Sequence, residues 1–407
     1  MLFNDIIYRV IDLIWSCLMN TVTMKDIARL AGVSRPVVSV VLGNKTGSTK
    51  VSREKREKIL KIAEELCFVP NLAAKELAGA KSHVIGVITS AYLSGMNSKL
   101  QTIVTLELYA KGYDVFTLPG PRLGNDSDAQ IIIDKFRMRN VEGIISLAYP
   151  QRTRKLAEKC GVPYIELGCD FSIPNLSDFA FDIELGGEMA ANHLIQEHGR
   201  KKICFLSGER FSVRGAATLK FSGMRKAMNN AGIPCPDSAF IDFTNYSIDD
   251  LFRNLREAKA DAVLACNDFC AARFVRAAVH RGIRIPDDIA VIGFDGDSIC
   301  DCSLISLATI QQSQGVLARH GINALSERIT SSSLNETYEV KWIPPVFSPG
   351  ESCGCHGCTE DFLCAEDMTY LYNITGCKGV MRAPFSKFRN YWQIHEHEKK
   401  NNESSEE

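Results

Sequence analysis

The chain has 407 residues, 45% of them apolar, which is enough for two or three globular domains with ordinary buried cores. Its net charge of −1 neither favours nor excludes a nucleic-acid partner, but residues 21–81 hold twelve Lys and Arg against six Asp and Glu. This stretch therefore carries +6 and the remainder −7, and a basic segment joined to an acidic body is typical of a protein that binds phosphate backbones.

The first twenty residues form an apolar extension that Asp5, Arg9 and Asp12 interrupt. They therefore predict neither a membrane span nor a secretory signal. Either residues 1–20 form an amphipathic helix, or translation starts at Met19 and opens directly on the next segment. The fifteen cysteines, mostly scattered through apolar segments, indicate reduced thiols and a cytoplasmic protein.

Residues 21–69 predict three short helices. Thr23, three residues before Asp26, is a candidate cap for the first helix, and Gly32 ends it. Ser34 is a candidate cap for the second helix, and a third begins near Ser52. The apolar stripe of the third helix is Ile59, Ile62, Ala63 and Leu66. Two short helices joined by a glycine turn predict a helix-turn-helix domain.

The second predicted helix has an inward apolar face and an outward face. Its proline falls in the first turn, where a missing N–H costs nothing. The inward face holds Val38, Val41 and Leu42, and the outward face holds Arg35, Pro36, Ser39 and Val40. The outward face is therefore available to base edges.

Five runs in this segment, 22–34, 38–39, 51–52, Arg56 and 68–71, together resemble the DNA-binding domain of the lactose-repressor (LacI/GalR) family. The resemblance implies that the second helix lies in the major groove of DNA. It assigns DNA contacts to Thr23, Ser34, Arg35, Pro36, Val37, Ser39 and Val40. Arg35 can pair with guanine through two hydrogen bonds, whereas Pro36 and Val40 offer only apolar contact, for example to a thymine methyl.

Residues 70–82 resemble the hinge helix and linker of the same family. By that resemblance the helix folds on DNA beside its copy from a second protomer, with Asn71 as a further DNA contact. Ala74 allows the two helices to approach closely, and Leu77 enters the minor groove as an apolar wedge. The alternatives are that this is the last helix of a small bundle, or that the whole module contacts protein or is a relic. The local positive charge favours DNA.

From residue 83 to 352 the pattern changes to β-type runs separated by helix-length segments. The runs are 84–89, 114–118, 141–147 and 163–167, then 203–207, 239–243, 262–265 and 289–294. This alternation predicts parallel sheets with right-handed crossovers. The predicted fold class is α/β: an all-α helix-turn-helix domain and two Rossmann-like lobes of the periplasmic-binding-protein type. Ligands of such sheets bind beyond the carboxyl ends of the strands, so the cleft between the lobes is the expected site.

Several runs in this body again resemble the family. They are Asp182 with Gly187, His193-Leu194, 199–203, Gly208, Gly223-Met224, Asn267-Asp268 and 282–296. The segment 307–311 is similar to the strand that returns to the first lobe. The resemblance implies effector contacts from Lys220, Asn267 and Asp295, each at or just past a strand end.

A charge with two hydrogen-bonding groups suits a sugar or another small polar ligand. Lys220 stands where the family usually has arginine, which offers a planar fork, and Arg214 is a candidate substitute. The structural alternatives are a helix cap for Asp295 and a satisfied turn residue for Asn267.

Residues 353–407 form a cysteine-rich segment followed by a charged end that is expected to be disordered. Candidate zinc ligands are Cys355, Cys358, Cys364 and Cys377. A redox role and a plain cysteine-rich extension are the alternatives. No other cofactor is expected besides the effector.

The sequence thus predicts a cytoplasmic, non-enzymatic regulator, most simply a repressor, with no membrane partner. It would bind a palindromic operator as a homodimer or larger assembly, and an effector would change that affinity. The competing hypotheses are an exported solute-binding protein, an enzyme and a thiol or metal sensor. No nucleophile elbow, phosphate loop or HExxH motif supports an enzyme.

Overall fold

The computed structural model describes residues 22–43, 51–69, 79, 81–89, 95–120, 126–147, 151–168, 178–208, 214–242, 247–331 and 340–355. The chain divides into two units, Met1–Lys81 and Ser82–Glu407. Among the helices of these residues, none is both long and apolar enough to cross a membrane. The predictions for 1–20, for Asn71, Ala74 and Leu77, and for the segment after Cys355 fall outside the described residues.

The first unit contains the three predicted helices. They are α1 (Met24–Ala31), α2 (Arg35–Leu42) and α3 (Arg53–Glu65). Ile27, Val38 and Ile59 are fully buried, one from each helix, so the core lies where the three helices meet. The apolar spacing of each helix is what allows this, because it places one stripe inward and leaves the rest to solvent.

The second unit begins with a parallel sheet in the order β2-β1-β3-β4. The strands are β1 (Val84–Thr89), β2 (Asp114–Pro119), β3 (Gly143–Ser146) and β4 (Tyr164–Glu166), and the helices between them are α4 (Gly95–Ala110), α5 (Asp126–Met138) and α6 (Gln151–Lys159). All four strands coincide with predicted runs. This sheet and its helices form the first lobe.

A short strand, β5 (Phe179–Phe181), precedes the second lobe. In the second lobe five helices alternate with five strands. The helices are α7 (Ile183–Gln196), α8 (Arg214–Asn230), α9 (Ile248–Glu257), α10 (Asp268–Val279) and α11 (Ile299–Cys302). The strands are β6 (Ile203–Ser207), β7 (Phe240–Asp242), β8 (Ala262–Ala265), β9 (Ala290–Asp295) and β10 (Ala308–Gln311). The predicted α/β class with two parallel-sheet lobes is confirmed.

The chain passes between the lobes again near its end. Helix α12 (Gln314–Ser331) packs on α4 and β3 of the first lobe, and β11 (Lys341–Ile343) pairs with β5. Strand β12 (Val346–Ser348) then returns to the second lobe, whose sheet order is β12-β10-β9-β8-β6-β7.

The chain returns to the first lobe one element later than predicted. The run 307–311 was expected to return to the first lobe, but it forms β10, which pairs with β9 inside the second lobe. The crossing follows β10, because α12 is the element that reaches the first lobe.

Candidate functional site

The turn between α1 and α2 has the features that the sequence predicts. The Thr23 side chain accepts from the Asp26 backbone N–H, and the Asp26 carboxylate accepts from the Thr23 N–H at 3.0 Å, which is a complete capping box. The Thr23 hydroxyl also donates to Asp26 Oδ2 at 2.7 Å, and this bond, together with that from the Thr23 N–H, holds the pKa of the Asp26 carboxyl below its usual value. Gly32 ends α1 at φ +70°, where a side chain would be strained.

Ser34 occupies the N-cap position of α2, as predicted, but its side chain makes no capping hydrogen bond. Pro36 lies in the first turn. In this first turn Pro36 has no N–H, and the Val37 N–H donates to the Ser34 carbonyl oxygen at 3.0 Å. The Arg35 N–H is therefore the first-turn amide placed to donate to a phosphate oxygen at the helix N-terminus.

The outward face of α2 is open as expected. Arg35, Pro36 and Ser39 are exposed, Val38 and Val41 are buried, and Val37 and Val40 are half-buried. Val37 packs against the core of the first unit, so it has less surface to offer than Arg35 or Ser39. The face is thus a guanidinium and a hydroxyl flanked by apolar groups.

The second candidate region lies at the carboxyl edge of the second-lobe sheet. Asp295 ends β9, and Asn267 follows β8 by two residues. Lys220 was also expected at a strand end, but it lies inside helix α8. It reaches the same edge because its side chain extends from the helix to Asp295 and to the backbone of Cys266, the residue before Asn267.

Lys220 is a buried cation with three partners from the protein itself. Its Nζ donates to the Cys266 carbonyl oxygen at 2.7 Å and to Asp295 Oδ1 at 3.3 Å. It also lies 3.8 Å from the centre of the Phe294 ring, which attracts a cation through its π face. The Lys220 side chain is 8% exposed and the Asp295 side chain is 18% exposed, so this ion pair is largely shielded from solvent and Lys220 fixes the position of the Asp295 carboxylate.

Asp295 is the most strained residue of this edge. Its φ is +104°, a conformation that costs free energy for any residue with a Cβ, and such strain collects at functional positions. Besides Lys220, the Gln312 amide donates to its Oδ1 at 2.7 Å.

The alternative role of Asp295 as a helix cap is wrong, because Ser298 is the N-cap residue of the next helix, α11. Asn267, whose alternative role was that of a satisfied turn residue, caps α10: its side chain accepts from the Cys270 N–H at 2.8 Å.

Sequence reasoning missed Asp268, a buried carboxyl next to this edge. The Thr309 hydroxyl donates to its Oδ1 at 2.6 Å, and the Asp297 N–H donates to its Oδ2 at 2.7 Å. Burial, reinforced by the negative charge of Asp295, raises the pKa of Asp268 to about 8. The side chain ties together α10, β10 and the turn after β9. The only signal in the sequence was its place beside Asn267.

The fold and these two regions define a class: a helix-turn-helix unit joined in one chain to a two-lobed ligand-binding body, which is a regulator of transcription. Residues 23–71 match the family described as bacterial regulatory proteins, lacI family. Residues 191–353 match the periplasmic binding protein-like domain. The chain thus carries, in one polypeptide, a DNA-binding segment that matches the lacI family and a periplasmic-binding-protein-like domain.

Known relatives cover most of the chain. The transcriptional repressor PurR of Pasteurella multocida is 29% identical over 328 residues, which are 76% of this chain and 93% of that protein. The ribose operon repressor of Escherichia coli K12 is 28% identical over 323 residues, 77% of this chain and 95% of that protein.

A solved structure agrees with these relatives. The lac repressor dimer bound to operator and the anti-inducer ONPF has a TM-score of 0.69 and 25% identity, and the match covers 82% of this chain and 99% of that one. Both of the relatives described above are named as repressors.

Proposed function

We propose that this protein represses transcription by binding a palindromic operator as a homodimer, and that a small polar effector, a sugar or sugar derivative, controls the affinity. The observation that carries the proposal is the exposed outward face of α2, with Arg35 at its start. This helix belongs to a unit whose three helices share one buried core. The lac repressor structure, a dimer on its operator, supports the dimeric arrangement.

The DNA contact is built from charge and shape. Arg35 would pair with guanine in the major groove, and Ser39 would bond to a base edge or phosphate. Pro36 and the half-buried Val40 would meet thymine methyl groups. Thr23 and Ser34 would bond to phosphates. Outside the described residues, Asn71, Ala74 and Leu77 keep the proposed role of a hinge helix that pairs with its copy in the minor groove.

The effector would sit against the carboxyl edge of the second-lobe sheet. Asp295 and Asn267 are half-buried and carry hydrogen-bonding oxygens, which suit the hydroxyls of a sugar. Lys220 would act mainly by fixing Asp295, because its amine already has two acceptors in the protein. The ribose operon repressor is among the relatives, so sugars are the first compounds to test.

Regulation then follows from linkage. An effector can change DNA affinity only by binding the DNA-competent and incompetent arrangements with different affinity, typically by about 1–3 kcal/mol. The lobes share the chain crossings that flank α12, so closure around a ligand would move the first lobes of a dimer relative to each other.

The first experiment tests the DNA contact with Arg35→Ala in the full chain. We expect the affinity for an operator selected from random DNA to fall about tenfold to a hundredfold, the value of one bidentate arginine–guanine contact. Affinity for unrelated DNA should fall much less, because it depends on phosphates. Binding is measured by fluorescence anisotropy across a range of salt concentrations.

The matched control is Arg253→Ala, an exposed arginine of α9 that pairs with Asp250 at 2.9 Å. It should bind the operator as the unchanged protein does. A folded dimer that enriches no DNA sequence at low salt, or equal losses from both variants, would contradict the proposal.

A further inference from the structure

Four side chains with metal-binding atoms converge on one point of the second lobe. They are His193, His198, Cys353 and Cys355, and their ligand atoms all lie within 4.8 Å of one another. The two histidine Nε2 atoms are 3.1 Å apart. The Nε2 of His193 lies 3.5 Å from the Cys353 Sγ and 3.4 Å from the Cys355 Sγ. The His198 Nε2 is 3.5 Å from the Cys355 Sγ.

Two distant parts of the sequence supply this cluster. His193 lies in the last turn of α7 and His198 just after that helix ends. Cys353 ends a short 3-10 helix, Glu351–Cys353, that follows β12, and Cys355 lies two residues further on. The chain between the two pairs passes through most of the second lobe, so no local sequence pattern unites them.

The backbone is shaped to bring both cysteines to the same point. Gly354, between them, has φ +104°, and a Cβ there would lie 3.1 Å from His198 Nδ1, so glycine suits this position on both counts. Ser352 anchors the turn from inside, because its Oγ donates to the Val291 carbonyl at 2.7 Å and accepts from the Ala308 N–H at 2.8 Å.

The histidine side is also held. The ring of Phe347 packs on the ring of His193 with the centres 4.1 Å apart. Cys353 is completely buried, whereas His193, His198 and Cys355 are half-buried. The ligand atoms are therefore oriented by packing, which is the condition for a preorganised metal site.

We propose that His193, His198, Cys353 and Cys355 bind one zinc ion in a tetrahedral site. For Zn–N bonds of about 2.0 Å and Zn–S bonds of about 2.3 Å, a tetrahedron separates two nitrogens by about 3.3 Å and a nitrogen from a sulfur by about 3.5 Å. Four of the six separations here are 3.1 Å between the nitrogens and 3.4–3.5 Å between a nitrogen and a sulfur, and all six are within 4.8 Å. The cluster has the dimensions of a two-cysteine, two-histidine zinc site.

The donor types select the metal. Two thiolates with two imidazoles suit Zn²⁺ in tetrahedral geometry, whereas Ca²⁺ and Mg²⁺ require oxygen ligands. On binding, each thiol loses its proton to solvent, and each imidazole coordinates through Nε2 in its neutral form.

All four positions are filled by protein, which is typical of a structural site and leaves no open coordination for catalysis. The ion would connect the segment that follows β12 to the C-terminal end of α7. This ligand set shares only Cys355 with the four cysteines considered from sequence. Cys358, Cys364 and Cys377 lie outside the described residues, and their four-thiolate set stays a separate prediction.

The test begins with metal content. The full chain, purified under reducing conditions and dialysed against zinc-free buffer, should retain about one zinc per chain by elemental mass spectrometry. A chelator that removes the zinc should lower the melting temperature, and added ZnSO₄ should restore it. Replacing zinc by Co²⁺ should produce the visible absorption bands of tetrahedral, thiolate-bound cobalt.

Variants assign the ligands. His198→Gln and Cys355→Ser should each lose the retained zinc and the cobalt bands. His280→Gln, at an exposed histidine just after α10, is the control and should retain both. A combined Cys358→Ser, Cys364→Ser, Cys377→Ser chain should also retain the metal, because these thiols are not ligands in the proposal.

Three outcomes would overturn the proposal. One is a reduced, folded protein that retains no zinc and gives no cobalt spectrum, in which case the cluster is held by hydrogen bonds such as that from the Cys353 thiol to the Gly350 carbonyl at 3.1 Å. Another is loss of zinc from the combined Cys358→Ser, Cys364→Ser, Cys377→Ser chain while His198→Gln and Cys355→Ser retain it. The last is unchanged zinc in both His198→Gln and Cys355→Ser.

Discussion

Thr23 and Ser34 are both hydroxyl residues at helix N-caps of the first unit, yet only Thr23 caps through its side chain. Thr23→Ala should therefore destabilise this unit by about 1 kcal/mol, the usual value of an N-cap hydroxyl. Ser34→Ala should change stability very little. Hydrogen exchange of the amides in α1 and α2 checks both. Equal loss of protection would show that Ser34 caps its helix after all.

A second prediction at this scale concerns Asp268. Its pKa rises from 3.8 to about 8 on folding, so the folded protein keeps a proton over this interval that the unfolded chain has lost. The stabilising contribution is therefore complete below pH 3.8 and is lost as pH rises towards 8. Asp268→Asn cannot titrate. The free energy of unfolding of the unchanged protein, measured relative to this variant in urea, should fall over that range.

Asp249→Asn, at an exposed aspartate of α9, is the control for the pH series. The free energy of unfolding of Asp268→Asn should depend on pH differently from that of Asp249→Asn. If the two variants give parallel curves, Asp268 titrates in the folded protein as it does in the unfolded chain, and burial is not the dominant influence on it.

At the scale of elements, α7 and α8 pack closely because each has a glycine at the contact. A Cβ on Gly187 would overlap the Lys220 carbonyl, and one on Gly223 would overlap the Glu184 carbonyl. Backbone atoms cannot move aside as a flexible side chain can. The separation of these helices also sets the position of Lys220 against the sheet edge.

Gly223→Ala should consequently destabilise the second unit by about 3 kcal/mol, because overpacking forces the helices apart. Gly112→Ala is the matched control. Gly112 has φ +83° with nothing within 4 Å of an added Cβ, so this variant should cost only backbone strain, about 1 kcal/mol. Urea denaturation compares them, and equal costs would mean that the helix contact yields easily.

The strands show how far sequence patterns reach. Runs 84–89, 203–207 and 262–265 form β1, β6 and β8 with the predicted bounds, because continuous apolar runs between helical segments mark buried parallel strands. Strands β5, β11 and β12 were missed. Each is three residues long, too short to show a period; β5 and β11 form by pairing with each other, and β12 by pairing with β10.

At the scale of the whole molecule, the Lys220–Asp295 pair should couple the effector to DNA. A thermal-shift screen with sugars and nucleobases identifies a ligand, and its effect on operator affinity is then measured. Lys220→Ala should lose this response, because Asp295 loses its support. Operator affinity without the ligand should stay within about threefold, since linkage acts only through the bound ligand.

Lys226→Ala is the control for this experiment. Lys226 lies on the same helix but is largely exposed, and it pairs with Glu188 at 2.8 Å. This variant should respond to the ligand as the unchanged protein does. A full response in a folded Lys220→Ala protein would remove Lys220 from the effector mechanism.

The sequence by itself determined the class of this protein. Three local patterns carry this information: the helix-turn-helix, the charge of residues 21–81 and the alternation of strands and helices. Each depends on residues that are near one another in the chain, so each can be recognised from the sequence. The family resemblance of the sequence also indicated Asp295 and Asn267, each at or just past a strand end, where residues gather at one edge of a parallel sheet.

Only the tertiary structure decided how distant residues meet. It turned Lys220 into the buried partner of Asp295, and it placed His193 and His198 beside Cys353 and Cys355 across 155 or more positions of sequence. It also moved the return to the first lobe from β10 to α12. The physical reason is the same in each case: such contacts depend on packing and chain crossings, which leave no periodic pattern in the sequence.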